Sequence, residues 1–210
     1  MQFTLAAFNY QSGDLEAEER NYLGHHVRLA KQLPGIRMYY TARTMEHDGQ
    51  KPSHFRYAFL GFDNADASAK VFQSPAGPAL MADTQAHLKD LKSQVFDGEI
   101  IVPFDARKPG QKCLLMAAEF NLDKTNLDAA EKRYREHHTG LARRLPGLRN
   151  YIIGKLPAGA ERYRIAVLAF DSLEAFKNAY RSPMGPELMK DEDATIHDAR
   201  VYRLDARVEL

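Results

Sequence analysis

Two histidine pairs, His25-His26 and His137-His138, stand in closely similar surroundings 112 residues apart. On a helix, His26 lies about 40° from Tyr22 and His138 about 40° from Tyr134, near the centre of an apolar stripe. An imidazole beside an apolar cavity suits a general base at neutral pH, able to move a proton on a phenolic or enolisable substrate. A buried histidine hydrogen-bonded to backbone or tyrosine is the alternative. Tyr39 and Tyr151 occupy matching strand positions, where they could orient a ligand or donate to a developing oxyanion, or simply pack in the core. Tyr22 and Tyr134 join them as ligand-binding candidates. Arg37 and Arg149 fall two residues before those strand tyrosines and so share their face. They could meet a substrate carboxylate, but an internal pairing with Asp83 and Asp191 is favoured. Asp83 and Asp191 follow a repeated Leu-Met; capping a loop backbone is the expected role, ligand binding the second.

These candidates come in twos because the chain is internally duplicated. Tyr22 to Tyr40 and Tyr134 to Ile152 share 10 of 19 positions, and 73–83 and 181–191 share 7 of 11 at an offset of 108. Average residue usage would give roughly one match in the first pair. The first copy carries a longer loop, Thr41 to His54, with His47-Asp48-Gly49-Gln50-Lys51-Pro52; the second is trimmed around Pro157-Ala158-Gly159. The expected organisation is a repeat over 1–106, a linker over 107–112 and a repeat over 113–210.

Each repeat reads strand, helix, strand, strand, helix, strand. Tyr134, His138, Leu141 and Leu145 make a helical stripe that Tyr22, His26, Leu29 and Leu33 repeat. Both helices are expected to stop at Pro-Gly (Pro34-Gly35, Pro146-Gly147). Strands follow at Ile36 to Thr41 and Phe55 to Phe62, and at Leu148 to Gly154 and Tyr163 to Phe170. The second helix of each repeat is expected to start on Asp63 or Asp171 and to end near Ser74-Pro75 or Ser182-Pro183. Tyr57 to Phe62 and Ile165 to Phe170 do not alternate, which requires cover on both sheet faces. Two helices cover only one face, so the economical arrangement packs one repeat's sheet on the other's. By that logic neither half is stable alone. Thr139-Gly140, against Val27-Arg28, suggests the roomier pocket in the second copy.

The string Tyr134-Arg135-Glu136-His137-His138-Thr139-Gly140-Leu141, followed by Leu145-Pro146-Gly147-Leu148-Arg149-Asn150-Tyr151 and then by Ser182-Pro183 and Asp191, resembles the EthD family of the dimeric α+β barrel superfamily. The first copy keeps Tyr22, His26, Leu33-Pro34-Gly35, Tyr39, Ser74-Pro75 and Asp83. The resemblance spans nearly the whole chain, twice. It implies two ferredoxin-like βαββαβ repeats packed sheet to sheet as an intramolecular dimeric α+β barrel. EthD is associated with an oxidative ether-degradation system; relatives include cofactor-free monooxygenases, lactone isomerases, polyketide-processing enzymes and haem-binding proteins. Fold alone does not choose among them.

Composition narrows the partners. With 29 Lys+Arg against 28 Asp+Glu, the 210-residue chain has no electrostatic footprint for nucleic acid or an anionic membrane. No apolar run is long enough to span a bilayer, and a cytoplasmic location is expected. Cys113, the one cysteine, reads as a buried strand residue. Neighbouring histidines diverge on a helix, and no His-x-x-x-His or cysteine pattern occurs, so no metal is expected. Haem is weaker still, because nothing marks a propionate site, and no cofactor is expected. The expected protein binds a small apolar or aromatic ligand, as a monomer or homodimer. It is either a cofactor-independent oxidoreductase or isomerase, with His138 and His26 as base or acid, or a non-catalytic ligand-binding or accessory protein of an oxidative pathway.

Overall fold

The computed structural model describes residues 1–46, 52–103 and 108–210. The loop residues 47–51 and residues 104–107, where the expected linker begins, lie outside them. The chain is α+β, and its described residues form eight antiparallel strands divided between two compact units.

Unit 1 comprises Met1–Asp97, Lys108–Gln111 and Ala206–Leu210. Its elements are β1 (Gln2–Tyr10), α1 (Leu15–Asn21), a π-helical turn (Tyr22–His26), α2 (Val27–Ala30), β2 (Ile36–Thr44), β3 (Arg56–Phe62), α3 (Ala65–Lys70), α4 (Gly77–His87) and β4 (Leu88–Val102), the last running past the unit's boundary at Asp97. The strands pair in the order β4-β1-β3-β2, the ferredoxin-like arrangement expected from the repeat. Residues 206–210 extend this sheet beyond β2: the Glu209 amide donates to the Tyr39 carbonyl at 2.8 Å, and the Thr41 hydroxyl donates to the Glu209 carboxylate at 2.9 Å.

Unit 2 contains 98–103 and Lys112–Asp205 among the described residues. It repeats the order with β5 (Lys112–Asn121), α5 (Leu127–Arg133), a π turn (Tyr134–His138), α6 (Thr139–Ala142), β6 (Leu148–Lys155), β7 (Arg164–Phe170), α7 (Leu173–Arg181), α8 (Met184–Thr195) and β8 (His197–Val208). Strand order is β8-β5-β7-β6. The end of β4, from Gly98, belongs to this unit, and Asn150 on β6 donates to the Val102 carbonyl at 2.9 Å.

The helices lie over one sheet face in each unit. In unit 1, Phe8, Tyr22, Val27, Leu33, Phe62 and Leu80 form the buried layer between them. The reverse face is also buried: Phe3, Phe59 and Phe96 stack with centroids 5.6–6.5 Å apart. On the reverse face of β7, Ile165, Val167 and Ala169 are buried as well. The unbroken apolar runs are therefore covered on both sides, as their patterning requires.

Three local expectations are corrected. The first helix of each unit closes at Ala30 or Ala142 rather than at Pro-Gly, and a tight turn carries the chain to Gly35 (φ +72°) and Gly147 (φ +75°). A side chain at Gly35 would be strained by that left-handed backbone and would meet the Ala67 methyl at 2.8 Å. Asn64 and Ser172, not Asp63 and Asp171, cap α3 and α7, accepting from the amides of Ala67 and Ala175. The segments after Ser74 and Ser182 are not loop but the helices α4 and α8, of 11 and 12 residues.

Candidate functional site

The candidate histidines sit on π turns. In each turn one residue more than in an α-helix is enclosed, the Val27 amide reaching the Tyr22 carbonyl and the Thr139 amide reaching Tyr134. Such turns concentrate at functional sites. In unit 1 His26 Nδ1 lies 2.7 Å from Asp83 Oδ2, while His25 Nε2 stands 3.8 Å from Asp83 Oδ1. Asn21 donates to the same carboxylate at 3.3 Å. Asp83 thus fixes the His26 ring from α4, and Nε2 has no hydrogen-bond partner among the described residues. Capping a loop is not its role.

Tyr22 stacks on His26 with centroids 5.0 Å apart and planes at 22°. The Arg56 guanidinium lies over the same tyrosine ring at 5.1 Å, so the phenol is held between a cation and an imidazole. Arg56 is in turn paired with Glu19 through two hydrogen bonds of 2.6 and 2.5 Å, and Tyr10 donates to Glu19 at 2.5 Å. Burial pushes the Glu19 carboxyl up, but Arg56, Tyr10 and Arg43 together bring it down to about 2. The result is a pillar running Glu19, Arg56, Tyr22, His26, Asp83.

Unit 2 repeats the pillar as Glu131, Arg164, Tyr134, His138 and Asp191. Arg164 lies 4.9 Å over Tyr134, which stacks on His138 at 5.1 Å and 16°. His138 Nδ1 is 2.9 Å from Asp191 Oδ2. Here Arg133 replaces Asn21 and binds Asp191 directly, with His137 Nε2 at 3.5 Å. Burial pushes both His26 and His138 below their ordinary value, against the opposing pull of their aspartates. Burial thus favours the neutral ring, the form a base needs.

Tyr39 lies 1% exposed, and its phenol is raised well above the ordinary value by burial and by Tyr22. Tyr151 is raised likewise, and its hydroxyl lies 3.4 Å from that of Tyr134. All four phenols stay protonated and can only donate or accept hydrogen bonds. Tyr22 and Tyr134 buttress the histidines and do not line the cavity described below.

The expected pairing of Arg37 and Arg149 with Asp83 and Asp191 does not form. Arg37 binds Asp63 at 2.7 and 2.8 Å, and Arg149 binds Asp171 at 2.6 and 3.0 Å, both in exposed positions. The register of β2 shifts between Ile36 and Met38, and that of β6 between Leu148 and Asn150. A bulge at each arginine breaks the alternation that would have placed it beside its tyrosine.

A cavity of about 350 Å³ lies in unit 1 between the sheet and the helices, lined by both His26 and Tyr39. Phe8, Ala58, Leu60, Phe62, Leu33, Val71 and Leu80 supply its apolar wall, and Thr4, Ser68, Thr84 and Ser93 its hydroxyls. None of the lining residues is Asp, Glu, Lys or Arg. The lining therefore offers no cation for the propionates of a haem, and the residues do not fit that group. Among the described residues no cluster of three or more His, Cys, Asp or Glu could hold a metal ion. At the positions equivalent to Thr4, Ser68, Thr84 and Val95, unit 2 carries Met116, Phe176, Glu192 and Arg203. Phe176 meets Phe170 edge-on at 5.5 Å, and Arg203 lies 6.0 Å over Phe176. The described cavity belongs to the first copy, and at these four lining positions the second copy carries larger side chains.

No family model matches the chain. An uncharacterised 11.0 kDa protein from Rhodococcus erythropolis, of the thcB-thcC intergenic region, is 28% identical over 91 residues, covering 43% of this chain and 88% of that one. A proposed monooxygenase from Fusobacterium nucleatum covers 99% of this chain and 93% of its own at 11% identity, with a TM-score of 0.75. An anthrone oxidase-like protein covers 99% and 92% at 14% identity, with a TM-score of 0.60. An EthD family protein from Bacillus halodurans is also a structural neighbour, over 46% of this chain and 98% of its own, at 19% identity and a TM-score of 0.40. The likeness to the two neighbours that span nearly the whole chain is one of α+β fold. No described helix is long and apolar enough to cross a membrane.

Proposed function

We propose that unit 1 binds a small apolar or aromatic molecule and moves a proton on it without a cofactor. One observation carries this: an imidazole fixed at Nδ1 by a buried carboxylate forms part of the wall of an uncharged cavity. His26 Nε2 takes the proton of a phenol, or of a carbon next to a carbonyl, and the electron pair remains on the substrate as phenolate or enolate. Asp83 stabilises the imidazolium formed, and the Tyr39 hydroxyl donates to the developing oxyanion. Returning the proton at another atom completes an isomerisation with no co-reactant. Oxidation of the same anion requires dioxygen as the electron acceptor; the names of the monooxygenase and anthrone oxidase-like neighbours support that branch. Balanced charge supports a small-molecule partner rather than nucleic acid, acting on a monomer or homodimer of the chain.

The test uses 2-tetralone, an uncharged enolisable ketone, with exchange of its α-protons in D2O followed by NMR. The protein should accelerate exchange, His26→Ala should remove the acceleration and His138→Ala should retain it. Acceleration untouched by His26→Ala would sink the proposal. Binding of the ketone without acceleration would instead support the competing reading, a non-catalytic ligand-binding or accessory protein.

A further inference from the structure

The cavity lining varies in exposure. Within one lining, His26, Tyr39 and Phe8 are buried, whereas Met81, Leu91 and Val95 are 40%, 47% and 38% exposed. Single exposed apolar residues are ordinary, but these three line one cavity, and with the exposed Ser93 between Leu91 and Val95 they make its outer lining mostly apolar. Of the hydroxyls in the wall, that of Thr84 is already used, donating to the Leu80 carbonyl at 2.8 Å, and those of Thr4, Ser68 and Ser93 are uncharged. With no charged side chain in the lining, a charged ligand would lose its water without gaining a partner.

Resting on the reading of the site given above, we infer that the ligand is an uncharged amphiphile longer than the cavity: a hydroxylated or enolisable ring against His26, with an apolar tail leaving across Met81, Leu91 and Val95. Tail length then adds affinity as these side chains are covered, by up to about 4-fold per methylene.

The experiment measures displacement of N-phenyl-1-naphthylamine by 4-alkylphenols from ethyl to heptyl, and by 4-alkylbenzoates of the same lengths, at pH 7.5. Affinity should climb with each methylene in the phenol series, and the benzoates should bind at least 10-fold more weakly. Val95→Arg, at an exposed position, should weaken heptylphenol about 10-fold or more and leave ethylphenol nearly unchanged. Ser68→Phe, shown to be folded by its thermal transition, should weaken the whole series. A flat dependence on chain length, with ethylphenol still bound, overturns the amphiphile and leaves the proton-transfer reading standing. Benzoates binding as well as phenols overturns it too, as does heptylphenol binding unaffected by either substitution. If no phenol of any length binds, both readings fall together.

Discussion

The two units carry the same pillar of carboxylate, guanidinium, phenol, imidazole and carboxylate, yet differ on either side of it. In unit 1 the aspartate that holds the histidine has a neutral companion, Asn21; in unit 2 Arg133 takes that place and shares the charge of Asp191. An aspartate whose charge is engaged by an arginine stabilises an imidazolium less. In unit 1 the cavity lining includes the small side chains Thr4, Ser68, Thr84 and Val95; at the equivalent positions unit 2 carries Met116, Phe176, Glu192 and Arg203. Burial raises the Glu192 carboxyl, which accepts a 3.0 Å hydrogen bond from Tyr180. The scaffold of the pillar is thus present twice, while its polar companions and the side chains at the cavity-lining positions differ between the copies. A histidine–aspartate pair is by itself poor grounds for assigning catalysis; what it faces decides.

That contrast breaks most directly through the histidines. His26→Ala should cost about 10²- to 10⁴-fold in tetralone exchange, whereas His138→Ala should change it less than about 2-fold and lower the melting temperature. Equal losses from the two variants would mean that the copies share the work.

The pillars, by contrast, should respond alike. Arg56→Ala and Arg164→Ala each leave a carboxylate, buried in Glu19 and largely covered in Glu131, short of its main partner and should lower unfolding free energy in urea by about 3 kcal/mol. Arg43 beside Glu19 and Lys155 beside Glu131 limit the damage. A cost confined to one unit would show that the stacks are not equivalent.

Reopening unit 2 is a smaller perturbation. Phe176→Ser should destabilise by about 1–2 kcal/mol, less than for a fully buried phenylalanine because Phe176 is only half-buried. Calorimetric titration with heptylphenol should then rise from one site per chain toward two. A stoichiometry that is already two in the unaltered protein would dissolve the distinction.

The gentlest test is pH. The folded-state values of His26 and His138 lie below the unfolded value of 6.5, so the unfolded chain binds more protons as pH falls past that point. Stability from these groups is complete above about 6.5 and declines below it until the folded rings titrate as well. His26→Gln and His138→Gln should flatten the melting temperature between pH 7 and 5 by similar amounts. Only His26→Gln should remove the acid limb of the exchange rate.

Much of this was readable in the residues. The duplication, the βαββαβ order and the stripe that turns Tyr22 and His26 inward follow from spacing and apolar pattern alone. Asp83 and Asp191 were visible as repeated residues, but the Gly-Pro at 77–78 and 185–186 reads as loop when it is in fact the first turn of a helix, where proline needs no amide partner. The bulges at Arg37 and Arg149 have no local signature, so strand parity misassigned both side chains. Glu19 with Arg56, and Glu131 with Arg164, were missed although both copies have the same residue types at those positions. Charged residues retained at matching places in otherwise diverged repeats are the signal that would have found them. The cavity was out of reach, because it depends on residues such as Ser68 and Val95, brought together from separate elements and unremarkable one at a time.

Residues Ala206–Leu210 belong to unit 1, and the hydrogen bond that ties them to it, from Thr41 to Glu209, joins residues 168 positions apart in the chain. Contacts of such long range carry a large loop-closure cost and form late in folding. The Tyr39 edge of the unit 1 sheet is therefore covered only after the residues between have been ordered, and a cut anywhere in that span would loosen the first unit as well as the second.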